Sequence, residues 1–207
     1  MSYGYSSHSQ SQGFLKAEIA PIISGYKSFA EYPGKDTGLS PDYTDEDNLT
    51  DYIWEKPSAS PKDKLGEVLE HLLHTITFSG FQKFYPTKWN WKNPSSELHL
   101  AMQEAIDKEH FNVTDYAELQ NDQEGYYKTL TTEFAYWLIL AEWDYFDLTG
   151  KDNNEGPNNT GNSEFKLGTS TEIANNLPLA HTLYESTIKE ILAKPNETWL
   201  KTKYGIP

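Results

Sequence analysis

Four stretches of the chain place apolar residues at the i, i+3, i+4 spacing of an amphipathic helix. They span residues 65–81, 96–110, 127–146 and 178–194. Asp63 is placed to cap the first helix and Ser95 or Ser96 to cap the second, while Pro178 can begin the fourth. The third stretch is apolar nearly all round, which predicts a central, buried helix. The pattern therefore predicts a mostly α protein.

The polar and turn-forming residues predict how the chain divides. Pro, Gly, Asp and Ser recur in YPGKD, SPDYTDEDNLTD and KPSASPKDK, all within the first 60 residues, and leave little room for regular structure there. We expect residues 1–60 to form a long, irregular and extended N-terminal arm, and residues 61–207 to form a helical core domain. In the fourth helix, the side chains expected to point inward are Leu179, Leu183, Ile188, Ile191 and Leu192.

Composition excludes several classes of function. The net charge is -14 and every one of the 17 basic residues is a lysine, so the chain has no arginine and repels polyanions. Nucleic acid is therefore not an expected partner. The chain has no cysteine, so its metal sites cannot use thiolates. No apolar run approaches the length of a membrane span and the N-terminus lacks a signal-peptide pattern, so we expect a soluble protein without a membrane partner.

The first helix carries the most informative chemistry. Glu70, His71 and His74 fall within about one turn of each other, and Glu70 and His74 share a face because they are four residues apart. The third helix holds Glu133 as its lone charge between Lys128 and Glu142. A carboxylate in such surroundings is costly unless it meets a cation, a proton or a metal. His71, His74 and Glu133 are therefore the candidate metal ligands.

Two interpretations of these residues stay open. In one, a divalent metal binds them and Glu70 acts as a base or a further ligand. In the other, the histidines and glutamates satisfy one another by hydrogen bonds and fix the packing of the helices. A two-metal centre on Glu97 and Glu104, with His99 nearby, is disfavoured because that helix lacks a Glu-x-x-His pair. Glu97, His99 and Asp107 are expected on a solvated face.

Two motifs resemble the zinc metallopeptidases called gluzincins, and especially the anthrax lethal factor type. EHLLHTIT, residues 70–77, is similar to the helix that carries their H-E-x-x-H motif, and TTEFAYWLI, residues 131–139, is similar to their second helix. The resemblance implies that His74 and Glu133 are zinc ligands and that Tyr126, seven residues before Glu133, stabilises an oxyanion. The chain also resembles uncharacterised proteins of marine bacteria and their phages, which implies no function.

The chain departs from the gluzincin motif at two adjacent positions. Where the family has His then Glu, this sequence has Glu70 then His71. Glu70 would then occupy the first ligand position and His71 the position of the general base, or His71 and His74 would bind the metal with Glu70 near the water. Because imidazole and carboxylate groups can each bind zinc or accept a proton, both assignments are chemically reasonable.

Two hypotheses about function follow. The first is a zincin-like hydrolase, active or degenerate, that uses zinc to attack a peptide or amide bond of a peptide or protein substrate, with Glu70 and Tyr126 as catalytic residues. The second is a non-catalytic structural or binding protein on the same helices. In that case the N-terminal arm would contact an assembly partner, for example in a larger particle.

Overall fold

The computed structural model describes residues 59–151 and 164–207. Over these residues 67% of the chain is helical and there is no β-strand, which confirms the predicted mostly α class. Within the same residues, an isolated antiparallel bridge joins Phe111 to Phe165. The predicted N-terminal arm lies outside the described residues except for its last two positions, and most of the polar loop between 151 and 165 does too.

Most of the helices in the described residues are short. The first helical segment consists of α1 (Pro61–Thr75), a π-helical stretch (Ile76–Phe81) and α2 (Gln82–Phe84). The middle of the chain contains α3 (Glu97–Asp107), a 3₁₀ helix (Thr114–Asn121) and α4 (Gln123–Glu142). The C-terminal part contains α5 (Ser170–Asn176), α6 (Pro178–Leu183), a second π-helical stretch (Tyr184–Ile188), α7 (Lys189–Ile191) and α8 (Glu197–Tyr204).

Side-chain caps fix where the first two long helices begin. Ser60 caps α1, because its hydroxyl accepts the backbone N–H of Asp63 at 3.2 Å while the Asp63 carboxylate accepts the backbone N–H of Ser60 at 3.1 Å. The helix thus begins at Pro61, and Asp63 completes a capping box rather than capping the helix itself. Ser96, one of the two predicted caps, accepts the backbone N–H of His99 at 3.2 Å at the start of α3.

Helix α4 passes through the centre of the hydrophobic core, as its all-round apolar pattern predicts. Phe134, Tyr136, Leu138, Ile139 and Leu140 each have no exposed surface. The helix begins four residues earlier than predicted, where the Asp122 side chain accepts the backbone N–H of Gly125. It also ends four residues earlier, two residues before Asp144, which has a left-handed backbone with φ of 56°. The core is therefore built around a single long apolar helix.

Helix α1 packs against α4 through the predicted apolar stripe. The five apolar residues of this stripe that precede the π-helical stretch are all buried: Leu65, Val68, Leu69, Leu72 and Leu73. Gly66 lets the backbone after α4 come close, since a Cβ added there would lie 2.9 Å from the Thr149 carbonyl oxygen. Burial of this stripe directs the adjacent face of α1, which carries Glu70 and His74, toward α4.

The C-terminal helices attach to the end of α4 through a buried carboxylate. Glu142 Oε1 lies 2.8 Å from His181 Nδ1, and Glu142 Oε2 accepts the Ser170 hydroxyl at 2.7 Å. The expectation that Leu179 and Ile191 point inward is wrong, because they are 51% and 46% exposed. Ala180 and Leu183 face the core in α6, and the π-helical stretch that follows shifts the helical register before Ile191.

None of the helices in the described part of the chain has the length and apolar character needed to cross a bilayer.

Candidate metal site

Two helices bring three predicted site residues together. Glu70 and His74 lie one turn apart on α1, and Glu133 lies on α4. One ligand atom from each of these side chains lies within 4.8 Å of the other two, and all three residues are partly buried. His74 Nε2 and Glu133 Oε2 are 3.3 Å apart. The predicted meeting of the two helices is therefore present, with Glu70 as its third member.

One distance in this group matches the spacing of two ligand atoms on a metal ion. Zinc ligands lie about 2.0–2.2 Å from the ion in a tetrahedron, which places neighbouring ligand atoms roughly 3.3–3.6 Å apart. The 3.3 Å between His74 and Glu133 falls in that range. Both carboxylate and imidazole groups are ordinary ligands of divalent metals. The Glu-His-Glu group could therefore hold a metal ion.

Two carboxyl groups in this region have raised pKa values. Burial raises the pKa of the Glu70 carboxyl, and repulsion from Glu133 raises it further, while His74 and His71 act in the opposite direction. Burial also raises the pKa of Glu164, and Glu133 adds to that effect. Raised pKa values mean that the negative charges in this region are incompletely compensated by the protein.

Glu164 joins the site from a part of the sequence that looked like a surface loop. Its Oε1 accepts the Tyr116 hydroxyl at 2.6 Å and the Trp137 indole N–H at 2.9 Å. Tyr116 itself has a raised pKa, first from burial and then from Glu133 and Glu164. One sign of this placement was present in the sequence, since Glu164 is followed by Phe165, an apolar residue that is fully buried.

Tyr136 is the other residue that the sequence analysis missed. Its side chain is completely buried, and its ring meets the edge of the His74 imidazole at a centroid distance of 5.7 Å. Burial raises the pKa of its phenol well above the usual value, and Glu70 and Glu133 raise it further. Its position three residues after Glu133 was the available signal, because residues three apart share a helix face.

His71 lies beside the site but outside the group of three. Its Nε2 is 3.2 Å from Glu67 Oε1, one turn earlier on α1. Its ring lies 5.8 Å from that of His74, measured between centroids, in an edge-on arrangement. The three residues grouped by the structure are thus Glu70, His74 and Glu133, whereas the predicted ligand set contained His71 in place of Glu70.

Tyr126 lies in the first turn of α4 and packs partly buried against the core and the ring of Tyr127. Seven helical residues separate it from Glu133, which corresponds to about 10 Å along the helix axis. The tyrosines whose pKa values respond to Glu133 are Tyr116 and Tyr136.

His99, expected on a solvated face, is instead buried, with its Nε2 in contact with the Trp91 carbonyl oxygen.

Comparison of the chain with protein-family models, with curated proteins and with solved structures found no match. The resemblance to gluzincins therefore stays a prediction from two short motifs.

Proposed function

We propose that this protein is a metal-dependent hydrolase in which Glu70, His74 and Glu133 hold a zinc ion. The observation that carries the proposal is the approach of three ligand atoms, from two separate helices, to within 4.8 Å of one another. Three protein ligands leave a fourth position for water, which is the arrangement of a catalytic zinc site. Zinc in such a site lowers the pKa of water and polarises a carbonyl group, so the expected substrate bond is a peptide or amide.

His71 is the candidate base in this proposal. Exchange of the two motif residues puts Glu70 among the ligands and His71 in the place of the gluzincin glutamate. The contact of His71 with Glu67 at 3.2 Å supports that role, because a carboxylate orients an imidazole and strengthens it as a proton acceptor. Glu70 then serves as a ligand rather than as the catalytic base.

Zinc stoichiometry tests the first step. Protein purified with zinc present and then dialysed is expected to retain about one equivalent, because three ligands converge on one point. His74→Ala and Glu133→Gln should each lose that zinc. His181→Ala is the matched control, since it removes another imidazole paired with a buried glutamate and should leave zinc content unchanged. Wild-type protein without zinc would refute the proposal.

Substitution of His71 distinguishes an effect on metal binding from an effect on hydrolysis. His71→Ala is expected to keep its zinc and to lose cleavage of peptide libraries by at least 100-fold, within the usual range for a general base. If His71→Ala loses its zinc as His74→Ala does, then His71 is a ligand and the assignment of the base is wrong.

A second candidate function is a non-catalytic protein that uses the same cluster for packing. The 3.3 Å contact between His74 and Glu133 favours it, because a protonated imidazole can compensate a buried carboxylate without any metal. Metal analysis separates the two candidates. Protein that binds zinc and leaves broad peptide libraries uncut would be a degenerate relative of the hydrolases.

A further inference from the structure

The hydroxyl of Tyr136 is buried at the metal site without a hydrogen-bond partner among the residues that the structure describes. The residue as a whole has no exposed surface. Buried hydroxyl groups in folded proteins almost always have a partner, and a water or an ion supplies it where the protein does not. The Tyr136 hydroxyl is therefore a buried donor whose acceptor is not one of the described protein atoms.

Two geometric features place the Tyr136 side chain beside the cluster. Tyr136 follows Glu133 by three residues and so lies on the same face of α4. Its ring touches the edge of His74 at 5.7 Å between centroids. After burial, Glu70 and then Glu133 are the groups that raise the pKa of its phenol most. Helix packing thus places the ring of Tyr136 against His74, one of the proposed metal ligands.

The chemistry of the ligand set limits what can accept this hydrogen bond. A metal held by two carboxylates and one imidazole keeps an open position that takes an oxygen atom. A phenol with its proton donates one hydrogen bond to such an oxygen. Two carboxylate ligands already balance the charge of a divalent metal, so the site offers little attraction to a ligand that brings another full negative charge.

Resting on the proposed function, we infer that Tyr136 donates a hydrogen bond to the oxygen that occupies the open position of the metal. That oxygen belongs to water in the free protein and to an uncharged carbonyl group in the complex with substrate. Tyr136 is thereby a substrate-binding residue, and the ligands of the site are neutral carbonyl compounds such as amides rather than phosphate or carboxylate ions.

The test measures binding of two matched probes to zinc-loaded protein by calorimetry. N-acetylglycinamide offers neutral carbonyl oxygens to the metal, whereas N-acetylglycine, its free acid, is an anion of nearly the same size. Wild-type protein is expected to bind the amide at least tenfold more tightly than the free acid. Tyr136→Phe should weaken binding of the amide about 3- to 10-fold, the effect of one lost hydrogen bond. Tyr126→Phe is the control and should change it less than twofold.

Each result has a defined meaning. If Tyr136→Phe binds the amide as wild type does, if Tyr126→Phe is the variant that loses affinity, or if the free acid binds as tightly as the amide, the inference is overturned while the metal site stands. If wild-type protein binds no zinc, both the proposed function and this inference fail. Thermal unfolding in chelator checks the fold, because removal of a hydroxyl without a partner should leave the melting temperature unchanged or raise it.

Discussion

At the scale of single residues, Glu70 shows the conflict between stability and function most clearly. Its carboxyl is taken out of water and lies near a second carboxylate, so its negative charge opposes folding of the metal-free protein. A bound divalent cation would remove that conflict. Residues kept for a site rather than for the fold commonly destabilise the protein in this way.

Glu70→Gln tests this interpretation. Glutamine has nearly the same shape without the charge, so in chelator at neutral pH the variant should be more stable than wild type, measured as the free energy of unfolding in urea. The same substitution should lower zinc affinity by at least tenfold. A variant that is less stable without metal would show that the Glu70 charge is compensated within the protein, contrary to the metal proposal.

At the scale of elements, the site depends on how closely α1 approaches the rest of the domain. Gly66 lies on α1 one turn before Glu70, where an added Cβ would meet the Thr149 backbone oxygen at 2.9 Å. Because that atom belongs to the backbone, it cannot move aside as a side chain can. The π-helical stretch begins two residues after His74, and such insertions are frequent next to functional sites.

Two glycine substitutions test the packing of this segment. Gly66→Ala should destabilise the protein by about 1–3 kcal/mol, because the overpacking outweighs the gain in helix propensity. Gly80→Ala is the matched control in the same helical segment, where the nearest atom to an added Cβ lies 4.0 Å away. It should be neutral or stabilise by up to about 1 kcal/mol. Urea unfolding of both variants is the measurement, and equal effects would contradict the close approach.

Much of the element pattern could be predicted from the sequence, and its errors have physical causes. Periodicity identified α1, α3 and α4, since each has an apolar stripe or is apolar all round. It missed α5, α8 and the 3₁₀ helix, because they are too short for a clear repeat. The periodicity also predicted one regular helix over residues 178–194, whereas a π-helical stretch interrupts the repeat and leaves Ile191 exposed.

At the scale of the whole molecule, several buried acids give stability a common dependence on pH. Burial raises the pKa of Glu70, Glu142 and Glu164. Between the ordinary pKa of 4.5 and the raised value, the folded state holds protons that the unfolded state has released. The stability contributed by these groups is therefore present at acidic pH and is lost as the pH rises through their folded pKa values. The lowered pKa of His110 acts in the opposite direction.

The resulting prediction concerns the protein with and without metal. In chelator, the free energy of unfolding should be larger near pH 5 than near pH 7.5, because the three carboxyls outnumber His110. With excess zinc, the added stability should be greater at pH 7.5, since metal ligands must lose their protons to bind. Denaturant titrations at both pH values measure this, and zinc stabilisation that is equal at the two would contradict a site built from these residues.

The sequence by itself determined the helical class, the buried stripe of α1, the central place of α4 and the need of Glu133 for a partner such as His71 or His74, because these follow from local periodicity and from an isolated charge in an apolar helix. Only the tertiary structure decided that Glu70 rather than His71 completes the group of three, and that Glu164 and Tyr136 lie beside it. These outcomes depend on how each helix is rotated about its own axis, and a fraction of a turn changes which side chains meet. That rotation is determined by packing among residues distant in the chain, so it cannot be predicted from a local sequence pattern.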